Sequence, residues 1–306
     1  MGTSNINSVQ RNVDIHGNRW FEPSEKHSRF AWGHSEVDKF CKVTGGSVIL
    51  ISGYTGVGID MFVQNVIRHN LKNDNKVIYF NLKESNSTIV NSMIAAESHV
   101  KTNCLRTGTL SSDEWNRLVE AVNELNKKSF VLEPYNSNVP SLMAYFLSAI
   151  REGNSDIVVL DDLDGLCIDN PTSLNSFMYR LRNAAMQSGT LVFVLADFNE
   201  VPKRMDKRPM LTDAPIEKLV KFFDVVLFLY HNKNDYLSSV SKSRILELIV
   251  AKYYSPTQSG LFYVTQHSDY SKIIEYKQAE VEKDFLNKYP GLVAGVKTLA
   301  DYLEKL

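Results

Sequence analysis

Between residues 46 and 267, short apolar runs alternate with stretches whose apolar residues recur at helical spacing. Gly46-Ser-Val-Ile-Leu-Ile-Ser52 is an unbroken apolar run, the pattern of a parallel strand buried on both faces. Similar runs predict strands over 47–53, 76–82, 129–133, 156–161, 190–196, 223–230, 245–251 and 261–266. Periodic segments predict helices over 59–71, 87–97, 112–127, 139–152 and 171–188. Ser111 or Ser112, ahead of Asp113 and Glu114, supplies an N-cap and negative charge on a first helical turn. Asn170-Pro171 is a second helix start of this kind. Strands alternating with helices predict an α/β fold: a mostly parallel twisted sheet flanked by helices.

The flanks read differently. Residues 1–30 form a flexible N-terminal arm, polar and without period, in which Trp20 and Phe21 are an aromatic pair suited to docking on a neighbouring subunit. Residues 268–306 are expected to form a helical C-terminal extension, with two helices split by Tyr289-Pro290-Gly291. The last carries a stripe of Val293, Val296, Leu299, Tyr302 and Leu303, which serves either packing within the chain or a partner.

Composition narrows the class. The 306 residues are 43% apolar and 23% charged, ordinary values for a globular protein, and the net charge is −1. Any contact with nucleic acid must therefore come from a local patch. The chain has no long apolar span and no signal-peptide pattern, so a cytoplasmic location is expected, without membrane contact. Cys41, Cys104 and Cys167 lack metal-site spacing and read as reduced structural thiols.

The chemistry concentrates at Gly53-Tyr-Thr-Gly-Val-Gly-Ile-Asp60. This matches the glycine frame G-x-x-x-x-G-K-[ST] of a phosphate-binding loop, with Ile59 in place of lysine and Asp60 in place of Ser or Thr. Gly53, Thr55, Gly56, Gly58, Ile59 and Asp60 are the candidate nucleotide-binding residues. In such loops the lysine neutralises phosphate charge and the hydroxyl binds Mg²⁺. Ile59 brings no charge, and Asp60 repels a polyphosphate unless a metal lies between them. Losing one charge-assisted bond weakens binding by about 1.5–3 kcal/mol. The backbone N–H groups and helix N-terminus still offer a site for a weaker anion.

Several further segments occur in an order that resembles the DnaB-type replicative helicases, in their RecA-like C-terminal motor domain. They are Trp32-Gly-His-Ser-Glu-Val-Asp38, Gly45-Gly-Ser47, Val77-Ile-Tyr-Phe-Asn-Leu82, Leu105-Arg-Thr-Gly-Thr-Leu110, Asp113-Glu-Trp115, Asp156-Ile-Val-Val-Leu-Asp161, Asp206-Lys-Arg-Pro-Met-Leu-Thr-Asp213 and Asp224-Val-Val-Leu-Phe-Leu-Tyr230. The resemblance spans residues 31–267. It implies a RecA-like P-loop NTPase fold, ATP with Mg²⁺ as cofactor, and an oligomer of like or unlike subunits. It also implies that the family's N-terminal helical domain, associated with primase, is missing here.

The resemblance assigns roles residue by residue. Asp161 falls at the Walker B position and, with Asp60, forms a candidate metal pair; the alternative is a solvated acidic loop that includes Asp162 and Asp164. Lys83 stands where the family's catalytic glutamate belongs, with Glu84 beside it. A protonated lysine is no general base. One rescue is that Lys83 replaces the phosphate lysine while Glu84 serves as base; an exposed Lys-Glu pair is the alternative. Asp197 replaces a glutamine. Of a basic pair that acts on a neighbouring subunit's nucleotide, Lys252 matches one member, and Tyr254 replaces the arginine finger. Lys203, Arg204, Lys207 and Arg208 form a basic cluster in the family's DNA-facing loop, which is either a phosphate-binding patch or a solvated charged loop.

Ile59, Asp60, Lys83, Asp197 and Tyr254 all depart from the catalytic pattern. The expectation is a catalytically impaired homologue in DNA replication, binding a helicase ring, another replication protein or single-stranded DNA. The alternatives are an active NTPase that uses Lys83, and an oligomeric scaffold that takes no nucleotide.

Overall fold

The computed structural model describes residues 30–276, except 84, 134–138, 164–165, 167–170, 199–200, 202, 206, 214–215, 232–243 and 255–257. The expectations for the N-terminal arm, residues 277–306, Glu84, Asp164 and Cys167 lie outside the described residues.

Strands β1 (Val48–Tyr54), β2 (Val77–Asn81), β3 (Phe130–Glu133), β4 (Ile157–Asp161), β5 (Leu191–Phe198), β6 (Val225–Tyr230), β7 (Arg244–Tyr253), β8 (Gly260–His267) and β9 (Lys272–Glu275) form one sheet in the order β3-β2-β4-β5-β1-β6-β7-β8-β9. Strands β3 to β6 in this order pair in parallel, and β7, β8 and β9 extend the sheet antiparallel. The helices are α1 (Ser35–Phe40), α2 (Ile59–Lys72), α3 (Asn86–Ser98), α4 (Thr102–Thr107), α5 (Ser112–Asn126), α6 (Val139–Arg151) and α7 (Pro171–Ser188).

The apolar runs are continuous because both sheet faces are covered. Successive strand residues point to opposite faces. Ile49 and Ile51 join a core with Phe62, Val66 and Ile67 of α2 and with Ile89 and Met93 of α3. Val48 and Leu50 join the other core, with Phe146 of α6 and Phe177 and Leu181 of α7. Full burial of each such side chain contributes roughly 1.5–3 kcal/mol. Capping also agrees with the sequence: Ser111 Oγ accepts from Glu114 N at 3.2 Å, and Glu114 Oε2 accepts from Ser111 N at 2.9 Å.

The strands and helices predicted between residues 46 and 267 are all present. The C-terminal boundary differs: the sheet continues past residue 267 through a 3-10 turn at Ser268–Tyr270 into β9, which pairs with β8. Segment 268–275 is thus not helical. Ile273 is buried in the same core as α2, which draws this short edge strand onto the sheet. Cys41 and Cys104 are free thiols. Among the described residues, no helix is long and apolar enough to cross a membrane.

Candidate nucleotide-binding site

In parallel α/β sheets, ligands bind beyond the carboxyl ends of the strands. The glycine frame lies there, between the end of β1 and the start of α2. Gly56 and Gly58 adopt φ of +80° and +98°, the left-handed region that glycine tolerates. A Cβ on Gly56 would meet nothing within 4 Å, whereas one on Gly58 would clash with Gln266 Nε2 of β8. Thr55 N and Oγ1 both donate to Phe198 O at 3.3 Å, tying the loop to β5. The glycine frame of the loop is kept, although Thr55 N and Val57 N donate within the chain, to Phe198 O and Tyr54 O.

Its charge is not. Ile59 is only 2% exposed and belongs to the core on the α2 face of the sheet. The side chain at the lysine position packs inward. Arg244 Nη1 reaches the loop at 3.4 Å, but it donates to the Gly56 carbonyl, whereas a phosphate would need the loop's N–H groups.

The strand ends beside the loop gather the acidic residues. Asp161, at the end of β4, is buried; Tyr79 donates its phenol to Oδ2, and Oδ1 has no hydrogen-bond partner. Burial pushes the Asp161 carboxyl up to about 7; the Tyr79 bond opposes this, and the charges of Asp60 and Asp162 add to it. Asp197 of β5 is the register partner of Gly53.

Lys83, just beyond β2, spans the end of β4 and donates to Asp197 Oδ2, with Asp162 Oδ2 3.8 Å away. Burial pulls the Lys83 amine down, but the hydrogen bond and charge of Asp197, with the charges of Asp162 and Asp161, outweigh it. The pKa ends above the ordinary lysine value. Lys83 and Asp197, both expected from the sequence to replace catalytic residues, are therefore bonded to each other.

Lys252 and Tyr254 sit at the opposite end of the strands from the glycine loop, where β7 pairs with the beginning of β6. Lys252 Nζ donates to Val220 O at 3.0 Å and Phe223 O at 2.5 Å, and burial lowers its pKa. Tyr254, at φ +51°, places its hydroxyl 2.9 Å from Ser47 Oγ and 3.2 Å from Thr44 Oγ1. This topology removes Lys252 from the glycine loop of its own chain.

The basic segment is fastened near the loop end of the sheet. Tyr54 donates its hydroxyl to Lys207 O at 2.7 Å. Arg204 grips Asp213 with two bonds of 2.6 and 2.9 Å. Arg208 grips Glu247 of β7 with two bonds of 2.6 and 2.7 Å, and Glu247 is 3% exposed. Lys203 is exposed. Arg204 and Arg208, of the four expected DNA-contacting cations, are thus engaged within the chain. Glu247 and Tyr79 were not singled out from the sequence, although a glutamate inside the apolar run 245–251 is a visible signal for a buried ion pair.

These residues do not fit a magnesium-bound triphosphate. The loop lysine is an inward-packed isoleucine, Asp60 adds negative charge, and the Lys83 ammonium is held by Asp197. Among the described residues, no group of three or more His, Cys, Asp or Glu could hold a metal ion. Asp60 and Asp161 are the pair that the sequence suggests.

The comparisons with known proteins agree with the fold. The description "DnaB-like helicase C terminal domain" matches residues 31–271. The replicative DNA helicase DnaC of Bacillus subtilis (strain 168) is 26% identical over 235 residues, which cover 72% of this chain and 51% of that protein. The replicative DNA helicase DnaB of Geobacillus stearothermophilus is 27% identical with the same coverage. The chain thus spans about half the length of these relatives. Among solved structures, one described as an ATPase domain superposes with a TM-score of 0.70 at 20% identity, covering 83% of this chain and 94% of that one. A DnaB-like replicative helicase, described with its primase interactions, superposes with a TM-score of 0.68 at 21% identity, covering 81% and 62%. These likenesses show a RecA-like fold, and the profile match over most of the chain shows the family. The chain belongs to the DnaB-like helicase C-terminal domain family.

Proposed function

We propose that this chain is a DnaB-type motor domain that has lost nucleotide hydrolysis and acts in DNA replication as an accessory or regulatory subunit. Its partners in this reading are a replicative helicase ring, another replication protein or single-stranded DNA, in a homo- or hetero-oligomer in the cytoplasm. The observation that carries the proposal is the Lys83–Asp197 ion pair. A protonated lysine occupies the position from which the family's glutamate would activate water, and its charge is already matched by a carboxylate. Ile59, buried at the lysine position, supports the same reading. The test is steady-state ATP hydrolysis with Mg²⁺ and single-stranded DNA. We expect no turnover above background; robust turnover that disappears in Asp161→Ala would overturn the proposal.

One observation favours a second reading, an active NTPase with rearranged residues. Asp197 is the register partner of Gly53, so the Lys83 amine is held one strand from the glycine loop. Lys83 would then supply the charge missing at Ile59. ATP binding measured by calorimetry separates the two: binding that survives Lys83→Ala removes this reading.

A further inference from the structure

At the far end of α2 from the glycine loop is a cavity of about 210 Å³, lined among others by Trp32, His34, Arg68, Lys72, Lys272 and Glu275. Its lining carries three cations, Arg68, Lys72 and Lys272, and one carboxylate, Glu275, while Asp38 accepts from Trp32 N and His34 N beside it. Glu97 of α3 is shared by two cations, at 3.3 Å from Arg68 Nη1 and 2.7 Å from Lys72 Nζ. Glu275 lines the cavity, but its Oε1 accepts from the Ser35 hydroxyl and, at 3.4 Å, from Glu36 N at the start of α1. Lys272, on β9, makes no salt bridge among the described residues; its Nζ lies 3.4 Å from His99 Nε2, and the Glu97 carboxylate attracts it at longer range. Burial and repulsion by Arg68 lower the Lys272 pKa. Lys72, in the last turn of α2, is favoured by the helix dipole, but that field does not account for a third cation delivered by β9.

Two buried nitrogens are also unmatched. Among the described residues, Nδ1 of His34, which is 4% exposed, and Nε of Arg68, which is 8% exposed, have no hydrogen-bond partner. A buried polar atom without a partner is destabilising and marks a place where a ligand completes the bonding. Guanidinium and ammonium donors converging on a small cavity suit a tetrahedral oxyanion.

We infer that this cavity binds a single phosphate group, held by Lys272, Arg68 and Lys72, separately from the Gly53–Asp60 loop. The phosphate is either free or that of a mononucleotide. The inference does not depend on whether the glycine loop takes nucleotide.

The test is calorimetric titration of the full chain with inorganic phosphate, against chloride at matched ionic strength. We expect one saturable site, weakened at least about tenfold by Lys272→Gln and unchanged by Lys128→Gln. If Lys272→Gln fails to fold, Lys72→Gln, whose side chain is 60% exposed, is judged by the same criterion. Adenosine monophosphate forms the second arm. Tighter binding than free phosphate, with the same Lys272 dependence, assigns the group to a nucleotide; weaker binding assigns it to free phosphate. No saturable phosphate binding, or equal affinity in the variant, would overturn the inference.

Discussion

The Lys83 ammonium donates to Asp197 Oδ2 across the end of β4, joining two residues 114 positions apart. Asp197 has a side chain only 9% exposed, while that of Lys83 is 41% exposed. Truncating one member of a fully buried pair is strongly destabilising, and solvent on Lys83 reduces the effect. Lys83→Met is expected to destabilise the fold by about 1–3 kcal/mol. A double-mutant cycle with Asp197→Asn, read by urea denaturation, should give a coupling of about 1 kcal/mol. Zero coupling would mean that the pair is incidental.

Ile59 is expected to act as a core residue and not as a ligand contact. At 2% exposure it packs in the cluster that contains Phe62 and Ile51. Ile59→Ala should destabilise by about 2–5 kcal/mol through lost burial and a residual cavity. Thermal melts measure this directly. A change below about 0.5 kcal/mol would show that the side chain readily leaves the core.

The sheet was legible in the sequence because both of its faces are covered, so β1, β4, β5 and β6 read as unbroken apolar runs. Helices α2 and α5 carried clear periodicity, and α5 also a capping box. Helices α1 and α4, of six residues each, and β9, of four, are too short to establish a period. The candidate site was legible as a set of positions, but not in its partners. Nothing in Lys83 or its neighbours specifies Asp197 as its counter-ion, because that pairing depends on β4 lying between β2 and β5. Similarly, Arg208 read as available to DNA because its partner Glu247, on β7, meets it only in the folded chain, whereas Asp213, nine residues from Arg204, was a visible charge within the segment.

Gly58 is held to glycine by two separate restraints. Its φ of +98° disfavours any Cβ, and a Cβ there would clash with Gln266 Nε2. Gly58→Ala should therefore destabilise through both backbone strain, about 1–2 kcal/mol, and displacement of Gln266. Adding Gln266→Ala relieves only the contact. The double variant is expected to be more stable than the two single-variant effects would give if they simply added, because displacement of Gln266 is counted only in Gly58→Ala. Strict additivity in denaturant titrations would mean that Gln266 does not restrain the loop.

Arg208 and Glu247 should behave as a structural pair. Glu247 has a side chain 4% exposed and receives two bonds from Arg208, itself 39% exposed. Arg208→Ala leaves a buried carboxylate without this counter-ion and is expected to destabilise by about 2–4 kcal/mol. Glu247→Gln, which keeps the shape and removes the charge, should be milder. The reverse order in thermal denaturation would contradict the pairing.

Asp213 links the basic segment to pH. The Arg204 hydrogen bonds, against a smaller opposing effect of burial and with help from Met210 N, hold its carboxyl below the usual aspartate value. A depressed folded-state pKa means that the native state binds the proton less readily than the unfolded chain. The stabilisation is fully present above the unfolded value near 4 and is lost as pH falls through the lower folded value. Asp213→Asn should therefore lower the melting temperature by about 2–4 °C at pH 7, corresponding to roughly 1 kcal/mol, and by progressively less toward pH 3. If the segment also binds single-stranded DNA, Lys203→Ala should weaken binding and reduce the salt dependence by about one ion. Arg204→Ala should leave that salt dependence unchanged, because Arg204 is engaged with Asp213 and not with phosphate. An equal loss of salt dependence in both variants would show that Arg204 leaves Asp213 to bind DNA.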